Sequence, residues 1–335
     1  MIFVTGGTGL VGSHLLHDLV SSGRQVRALK RKTSGLAMAE HLFRDEARAY
    51  QHIEWVEGDI TDPVLLEEAM KGVTEVYHCA AVVSFYPADY RLLMSVNAGG
   101  TANMVNAALQ AGVKRFAYVS STAALGRSDE HALITEKSLW KESKHNSAYS
   151  ISKFCGEREV WRGIEEGLSA FIVNPSIVLG PGNPSTGSTA MFGAVMSGLR
   201  FYPGGSGGFV DIRDVTAALT GLMQKGIAGE RYIVSSENLP YREVLNRIAD
   251  DFGKKRPGIY AGKMLSGIGW RAAHISSMFR KTRPSLTRET AANGQRHWNY
   301  SNEKIRNALG ISFIPVMQSI DDTCRELKKL AIDRH

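Results

Sequence analysis

Near the middle of the chain a phenol and an amine stand four residues apart, in Tyr149-Ser150-Ile151-Ser152-Lys153. On a helix, positions i and i+4 share a face, so both side chains point into the same space. An ammonium beside a phenol stabilises the phenolate and lowers the phenol pKa toward neutrality, which makes Tyr149 a usable acid or base near pH 7. A second group of hydroxyls, Val119-Ser120-Ser121-Thr122, follows the apolar run Phe116-Ala117-Tyr118. A hydroxyl at that strand end can hydrogen-bond a substrate oxygen that exchanges a proton with tyrosine. The third signal is Thr5-Gly6-Gly7-Thr8-Gly9-Leu10-Val11-Gly12, directly after Ile2-Phe3-Val4. Its glycines let the backbone turn tightly and approach a pyrophosphate, and the helix that follows offers unpaired N–H groups and a positive dipole end.

These residues need a scaffold that brings three distant segments together. Apolar runs suggest strands at 1–4, 25–29, 53–57, 74–78, 115–120 and 169–173, and helix-like stretches fall at about 9–22, 63–71, 89–111 and 147–166. The alternation predicts an α/β fold: a Rossmann-type doubly wound parallel sheet, in which ligands bind beyond the carboxyl ends of the strands. After Pro175 the texture changes to loops rich in Gly and Pro, two further strands near 208–210 and 230–234, and a mainly helical remainder from about 241. The predicted division is a dinucleotide-binding domain over 1–174 with returning segments at about 208–235. Residues 175–207 and 236–335 form a smaller, mainly helical substrate lobe.

The chain has 335 residues, 43% of them hydrophobic and 22% charged, enough for a substantial core and too apolar for wholesale disorder. Cys79, Cys155 and Cys324 are far apart, without metal-ligand spacing, and fit a reducing cytoplasm; no metal is expected. The chain starts within a strand, leaving no room for a leader, and no run is long and apolar enough to span a membrane. The net charge of +7 is uneven: residues 253–307 hold twelve Lys/Arg against Glu289 and Glu303. That reads as a solvated basic face, with an anionic ligand or surface the alternative. No nucleic-acid motif accompanies it. Segment 261–279 is an amphipathic helix, read as packing over the substrate cleft, with a peripheral membrane contact the alternative. The charged stretch 127–147, with Trp140 and His145, reads as a solvated loop, with a cover over the cleft the alternative.

Taken together, TGGTGLVG, the Ser121 strand end and Tyr149/Lys153 resemble the extended short-chain dehydrogenase/reductase superfamily, also described as NAD-dependent epimerases/dehydratases. The resemblance runs through most of the chain. Gly58-Asp59-Ile60-Thr61-Asp62 is similar to the turn whose Asp contacts adenine. His78-Cys79-Ala80-Ala81 resembles the strand end lining the cofactor, and Val96-Asn97-Ala98-Gly99-Gly100-Thr101 the helix whose Asn orders the active site. Asn174-Pro175-Ser176-Ile177-Val178-Leu179-Gly180-Pro181 resembles the segment beside the nicotinamide. The resemblance implies a catalytic Ser121, Tyr149 and Lys153, with Thr122 the fallback for Ser121. It implies cofactor contacts from Thr5, Gly6, Thr8, Gly9, Leu10, Val11, Gly12, Asp59, Ile60, Ala80, Ala81, Asn97, Tyr149, Lys153, Asn174, Pro175, Ser176 and Val178. Helix-mediated homodimers are usual in such proteins.

The second strand ends Lys30-Arg31-Lys32, with no acid to accept from a ribose 2′-hydroxyl. Basic residues there suit a 2′-phosphate, so NADP(H) is expected, held by Arg31 with Lys30 or Lys32 assisting; NAD(H) is the alternative. The motif set looks most like the dihydroflavonol reductase and 3β-hydroxysteroid dehydrogenase branch, which implies reduction of a ketone or aldehyde. A nucleotide-sugar epimerase is the alternative, although Gly207-Gly208-Phe209-Val210-Asp211-Ile212 lacks that group's Arg-Asp pair and His. A non-catalytic dinucleotide sensor on the same fold is a third reading.

Overall fold

A computed structural model describes residues 1–126, 132–143, 146–262 and 287–332. The strands are β1 (Ile2–Thr5), β2 (Val26–Lys30), β3 (Ile53–Glu57), β4 (Glu75–His78), β5 (Arg115–Val119), β6 (Leu133–Ile134), β7 (Ala170–Pro175), β8 (Ile177–Leu179), β9 (Phe201–Tyr202), β10 (Ser206–Asp211), β11 (Glu230–Val234), β12 (Glu237–Pro240), β13 (Ile259–Tyr260) and β14 (Asn299–Tyr300). Seven of them form one sheet in the order β11-β7-β5-β4-β1-β2-β3, parallel throughout. The order reverses between β1 and β4, so the crevice above their carboxyl ends is the ligand position that this topology creates.

Strand side chains alternate between two faces, and both faces here are apolar. Ile2, Val4, Val26, Ala28, Ala117 and Phe171 pack with the helices Leu10–Ser21 and Ile212–Lys225. Phe3, Leu29, Val76, Phe116, Tyr118 and Ile172 pack on the other side with Pro63–Ala69, Thr101–Gln110 and Ala148–Glu165. A third core joins Leu179, Phe192, Phe209, Val244, Ile248, Ile320 and Leu327, where helices 190–196, 241–251 and 316–332 cover the small sheet β12-β10-β8.

β11 completes the main sheet, whereas β10 pairs with β8 and β12 in the small one. Helix 303–309 packs its Ile305 into the first core rather than into the third. The stretch read as one helix over 89–111 is broken: Tyr90–Leu93, a π-helical turn Met94–Gly100, then Thr101–Gln110. The π turn carries an extra residue per turn, and its Asn97 is buried. The amphipathic helix expected at 261–279 lies, but for its first two residues, outside the described residues, as do 127–131 and His145.

Candidate active site

The glycine turn leaves β1 and enters the helix Leu10–Ser21. Gly6 has φ +73°, the left-handed region, and a Cβ there would lie 2.7 Å from the Ala80 nitrogen. A Cβ on Gly12 would overlap the Gly6 carbonyl. The Gly9 N–H closes the turn on the Gly6 carbonyl at 2.9 Å. The helix has no side-chain cap and no acidic residue in its first turn, so its N–H groups and dipole face the crevice uncompensated. Thr8, Leu10 and Val11 are half-buried around this opening. The cradle fits a dinucleotide pyrophosphate: backbone approach is unobstructed and the charge complement is correct.

A buried hydrogen-bond chain joins this turn to the opposite side of the crevice. The Ala80 N–H donates to Thr5 Oγ1 (3.2 Å), which lies 2.7 Å from His78 Nδ1. His78 Nε2 lies 3.0 Å from Thr101 Oγ1, which donates to the Asn97 carbonyl at 2.7 Å. Because Thr101 spends its only proton on Asn97, His78 donates from Nε2 and accepts from Thr5 at Nδ1. The ring is therefore neutral, and burial pushes its pKa down to about 3, with the Lys153 charge adding to the effect. Between pH 6.5 and about 3 an unfolded chain takes up a proton at this ring that the folded chain refuses, so stability falls as pH falls through that window. His78→Gln is expected to be less stable than wild type at pH 7. The gap should narrow by up to roughly 1.4 kcal/mol per pH unit on acidification, read by urea unfolding between pH 7 and 4.5. A constant gap would contradict this account.

Asn97 itself clamps the loop after β4. Its Oδ1 accepts from the Val82 N–H at 2.8 Å, and its Nδ2 donates to the Val82 carbonyl and to Ser152 Oγ, both at 2.9 Å. Ser152 passes its proton to the Tyr149 carbonyl at 2.8 Å. The held loop presents Phe85 edge-on to the Tyr149 ring, centroids 5.7 Å apart. Ala80 is half-buried and Ala81 exposed at the crevice.

Tyr149 and Lys153 sit on the helix Ala148–Glu165, started by Ser147, whose hydroxyl accepts from the Ser150 N–H. Ser121 lies near enough to Tyr149 for its hydroxyl to pull the phenol pKa down. Its Oγ also accepts from the Ala123 N–H at 3.1 Å, which leaves its own proton free to be given away. Ser120 and Thr122 are both buried and Ser120 Oγ has no hydrogen-bond partner, whereas Ser121 is half-buried.

One electrostatic expectation is corrected. Lys153 does not lower the phenol pKa: burial raises that of Tyr149, against a smaller pull from the Ser121 hydrogen bond. Lys153 instead donates to the Val119 carbonyl at 2.8 Å and lies 4.4 Å from the centre of the Tyr118 ring. Burial draws its own pKa down to about 7, opposed by Glu157.

Asn174 is also corrected. Expected beside the nicotinamide, its side chain is fully buried, donating to the Ser121 carbonyl (3.0 Å) and to Glu157 Oε1 (2.5 Å). Pro175 is buried as well, leaving Ser176 and Val178 half-buried on that wall. Glu157 was not singled out from the sequence; its signal is the same i+4 spacing that links Tyr149 to Lys153. It pairs with Arg231 of β11 at 3.2 Å. Arg231 donates onward to the carbonyls of Glu136 (2.6 Å) and Ser138 (3.3 Å), and Trp140 stacks on Phe154 at 4.4 Å. Glu136, Ser138 and Trp140 anchor this part of the stretch, whereas Lys137 and Leu139 are exposed.

At the adenine end, Asp59 Oδ1 accepts from the Thr61 N–H and hydroxyl at 2.9 and 2.8 Å. Ile60 is buried, its carbonyl held by Asn103. Lys30 faces Glu57 at 3.6 Å, whereas Arg31 is exposed and has no ion pair among the described residues. Among those residues no group of His, Cys, Asp or Glu could hold a metal ion.

A parallel doubly wound sheet, a glycine cradle at its switch point and a Tyr/Lys helix face beside it define an NAD(P)-dependent enzyme of the extended short-chain dehydrogenase/reductase superfamily. The chain belongs to the NAD dependent epimerase/dehydratase family, whose model matches residues 2–235. It is 33% identical over 270 residues to sterol demethylase protein B of Methylococcus capsulatus, covering 79% of each chain. It is 32% identical over 261 residues to a putative dihydroflavonol 4-reductase of Synechocystis, covering 76% of this chain and 73% of the relative. The crystal structure of gox2253 superposes with a TM-score of 0.80 at 28% identity, covering 98% of both chains. The dTDP-glucose 4,6-dehydratase DesIV from Streptomyces venezuelae shares the fold with a TM-score of 0.77 at 21% identity, covering 98% of this chain and 97% of that one. No helix among the described residues is long and apolar enough to cross a membrane.

Proposed function

We propose that the protein is an NADP(H)-dependent reductase of a ketone or aldehyde. The observation that carries this reading is the hydrogen bond from Lys153 to the Val119 carbonyl at 2.8 Å, which fixes the helix face bearing Tyr149 and Lys153 against the carboxyl end of β5, where Ser121 follows. A bound reduced dinucleotide supplies the hydride. Ser121 donates to the carbonyl oxygen and holds it in place. Tyr149 then gives its proton to that oxygen as the carbon accepts the hydride, so the product is the alcohol. Lys153 binds the ribose hydroxyls. Phe85 and the ring of Tyr149 make the wall beside the oxygen apolar, which favours a substrate with a hydrophobic group there.

Residues 1–174 with 208–235 hold the dinucleotide in this reading, and 175–207 with 236–335 shape the substrate pocket. The three free cysteines suit a cytoplasmic setting. The test is a panel of flavonoid, steroid and aliphatic carbonyls and a UDP-sugar, assayed with NADPH. Turnover of the carbonyls is expected; turnover of the UDP-sugar alone, with dinucleotide retained through purification, would replace this reading by an epimerase.

Arg31 makes the cofactor choice testable. Its guanidinium is exposed at the end of β2, so a 2′-phosphate can take it without breaking an existing pair. Arg31→Ala should raise KM for NADPH about tenfold, roughly 1.4 kcal/mol, and leave KM for NADH unchanged. A wild type that prefers NADH tenfold would sink the NADP(H) assignment.

A further inference from the structure

We propose that Glu157 is a positioning residue for the Tyr149–Lys153 face: paired with Arg231 and tied through Asn174 to Ser121, it registers the β5 end against the helix and keeps a negative charge one turn from Lys153. The proposal rests on the reductase reading only for its effect on turnover. A carboxylate as buried as this one, 1% exposed, is costly to bury and gives packing nothing that a neutral side chain would not. It is fully engaged: Oε1 accepts from Asn174, and Oε2 from Arg231. Asn174 uses the same nitrogen to grip the Ser121 carbonyl, so the serine hydroxyl inherits its position from this carboxylate.

The charges around Lys153 single out Glu157. Tyr149 comes from the same helix, and Tyr118 from β5 is a neutral ring beneath the amine. From β4 come His78, neutral in its hydrogen-bond chain, and the Cys79 thiol, which burial pushes up to about 12. Arg231 from β11 lies beyond Glu157, and Glu136 beyond that gives one carboxylate oxygen to the Ile233 N–H. Glu157 is thus the anion of this group closest along the helix to Lys153. It opposes the burial that drives the amine toward neutrality.

Three proteins test this: wild type, Glu157→Gln, and Glu157→Gln combined with Arg231→Gln. The single variant leaves Arg231 without its partner; the double variant removes both charges and keeps amide hydrogen bonding. The Lys153 titration is read by NMR on protein carrying 13C-lysine, its resonance assigned with Lys153→Met. The midpoint is expected to fall by about one pH unit in both variants. The alkaline limb of kcat/KM for carbonyl reduction should move the same way, with KM for NADPH within about twofold. Thermal stability should drop in the single variant and recover in the double. An unchanged midpoint, or a midpoint restored in the double variant, overturns the proposal and leaves only a brace. If the midpoint moves but wild type reduces no carbonyl of the panel, the reductase reading fails and the assignment to Glu157 stands.

Discussion

Tyr149→Phe will lose about a thousandfold in kcat/KM for carbonyl reduction while binding NADPH within about twofold of wild type. The substitution removes one oxygen and keeps the ring, so the edge-on contact with Phe85 and the start of the helix at Ser147 survive. In the proposed reductase, what disappears is the proton that has to reach the substrate oxygen. No nearby group replaces it: Ser121 has a far higher pKa than a phenol, and Thr122 is buried in its turn. Lys153 is held on the Val119 carbonyl, away from the reacting oxygen. The raised pKa of Tyr149 sharpens the expectation. The phenol is fully protonated at neutral pH, ready to donate in the direction of reduction. Single-turnover rates with NADPH, beside a fluorescence titration of the dinucleotide, separate the two quantities. A variant that keeps more than a tenth of the wild-type rate would assign the proton to another donor.

Gly12→Ala will abolish dinucleotide binding, with affinity down more than about a hundredfold, and will lower stability. Its Cβ would overlap the Gly6 carbonyl, and backbone has no rotamer to yield. Relief requires moving either the turn or the helix start, the two parts that form the cradle. Gly23 supplies the control. It has φ +79° and nothing within 4 Å of a Cβ, so Gly23→Ala costs conformational strain alone, about 1 kcal/mol, and leaves binding intact. Equal losses of affinity in the two variants would show that general destabilisation, rather than the cradle, is being measured.

The sequence was most legible where one local signal suffices. The glycine turn, the apolar strands and the Tyr149–Lys153 spacing are all contained within a few residues, and each lands where its periodicity predicts. The fold follows from their alternation, because a parallel sheet with helices on both faces is the architecture that buries such runs. Less legible was whatever depends on partners distant along the chain. Glu157 and Arg231 are 74 residues apart, and nothing local marks Arg231 as anything but a strand residue. The Asn174 motif pointed correctly to its neighbourhood, yet which way the amide faces is decided by Glu157 and Ser121. The break in 89–111 escaped for the same reason. Its composition suits a continuous helix, whereas the structure has a π turn in which Asn97 reaches back to Val82 and Gly100 lies where a Cβ would sit 2.5 Å from Ile60. The Tyr149 pKa is raised by burial, which residue spacing does not report.

The hydrogen-bond chain from Ala80 through Thr5, His78 and Thr101 to Asn97 has one further consequence. Each hydroxyl and the ring has exactly one proton to give, and all give it in the same direction. Its two ends are a backbone N–H and a backbone carbonyl, which cannot change polarity, so no link can reverse without leaving a buried donor or acceptor unpaired. The β1 turn, the β4 end and the π turn are therefore linked by a buried chain whose direction is fixed at both ends.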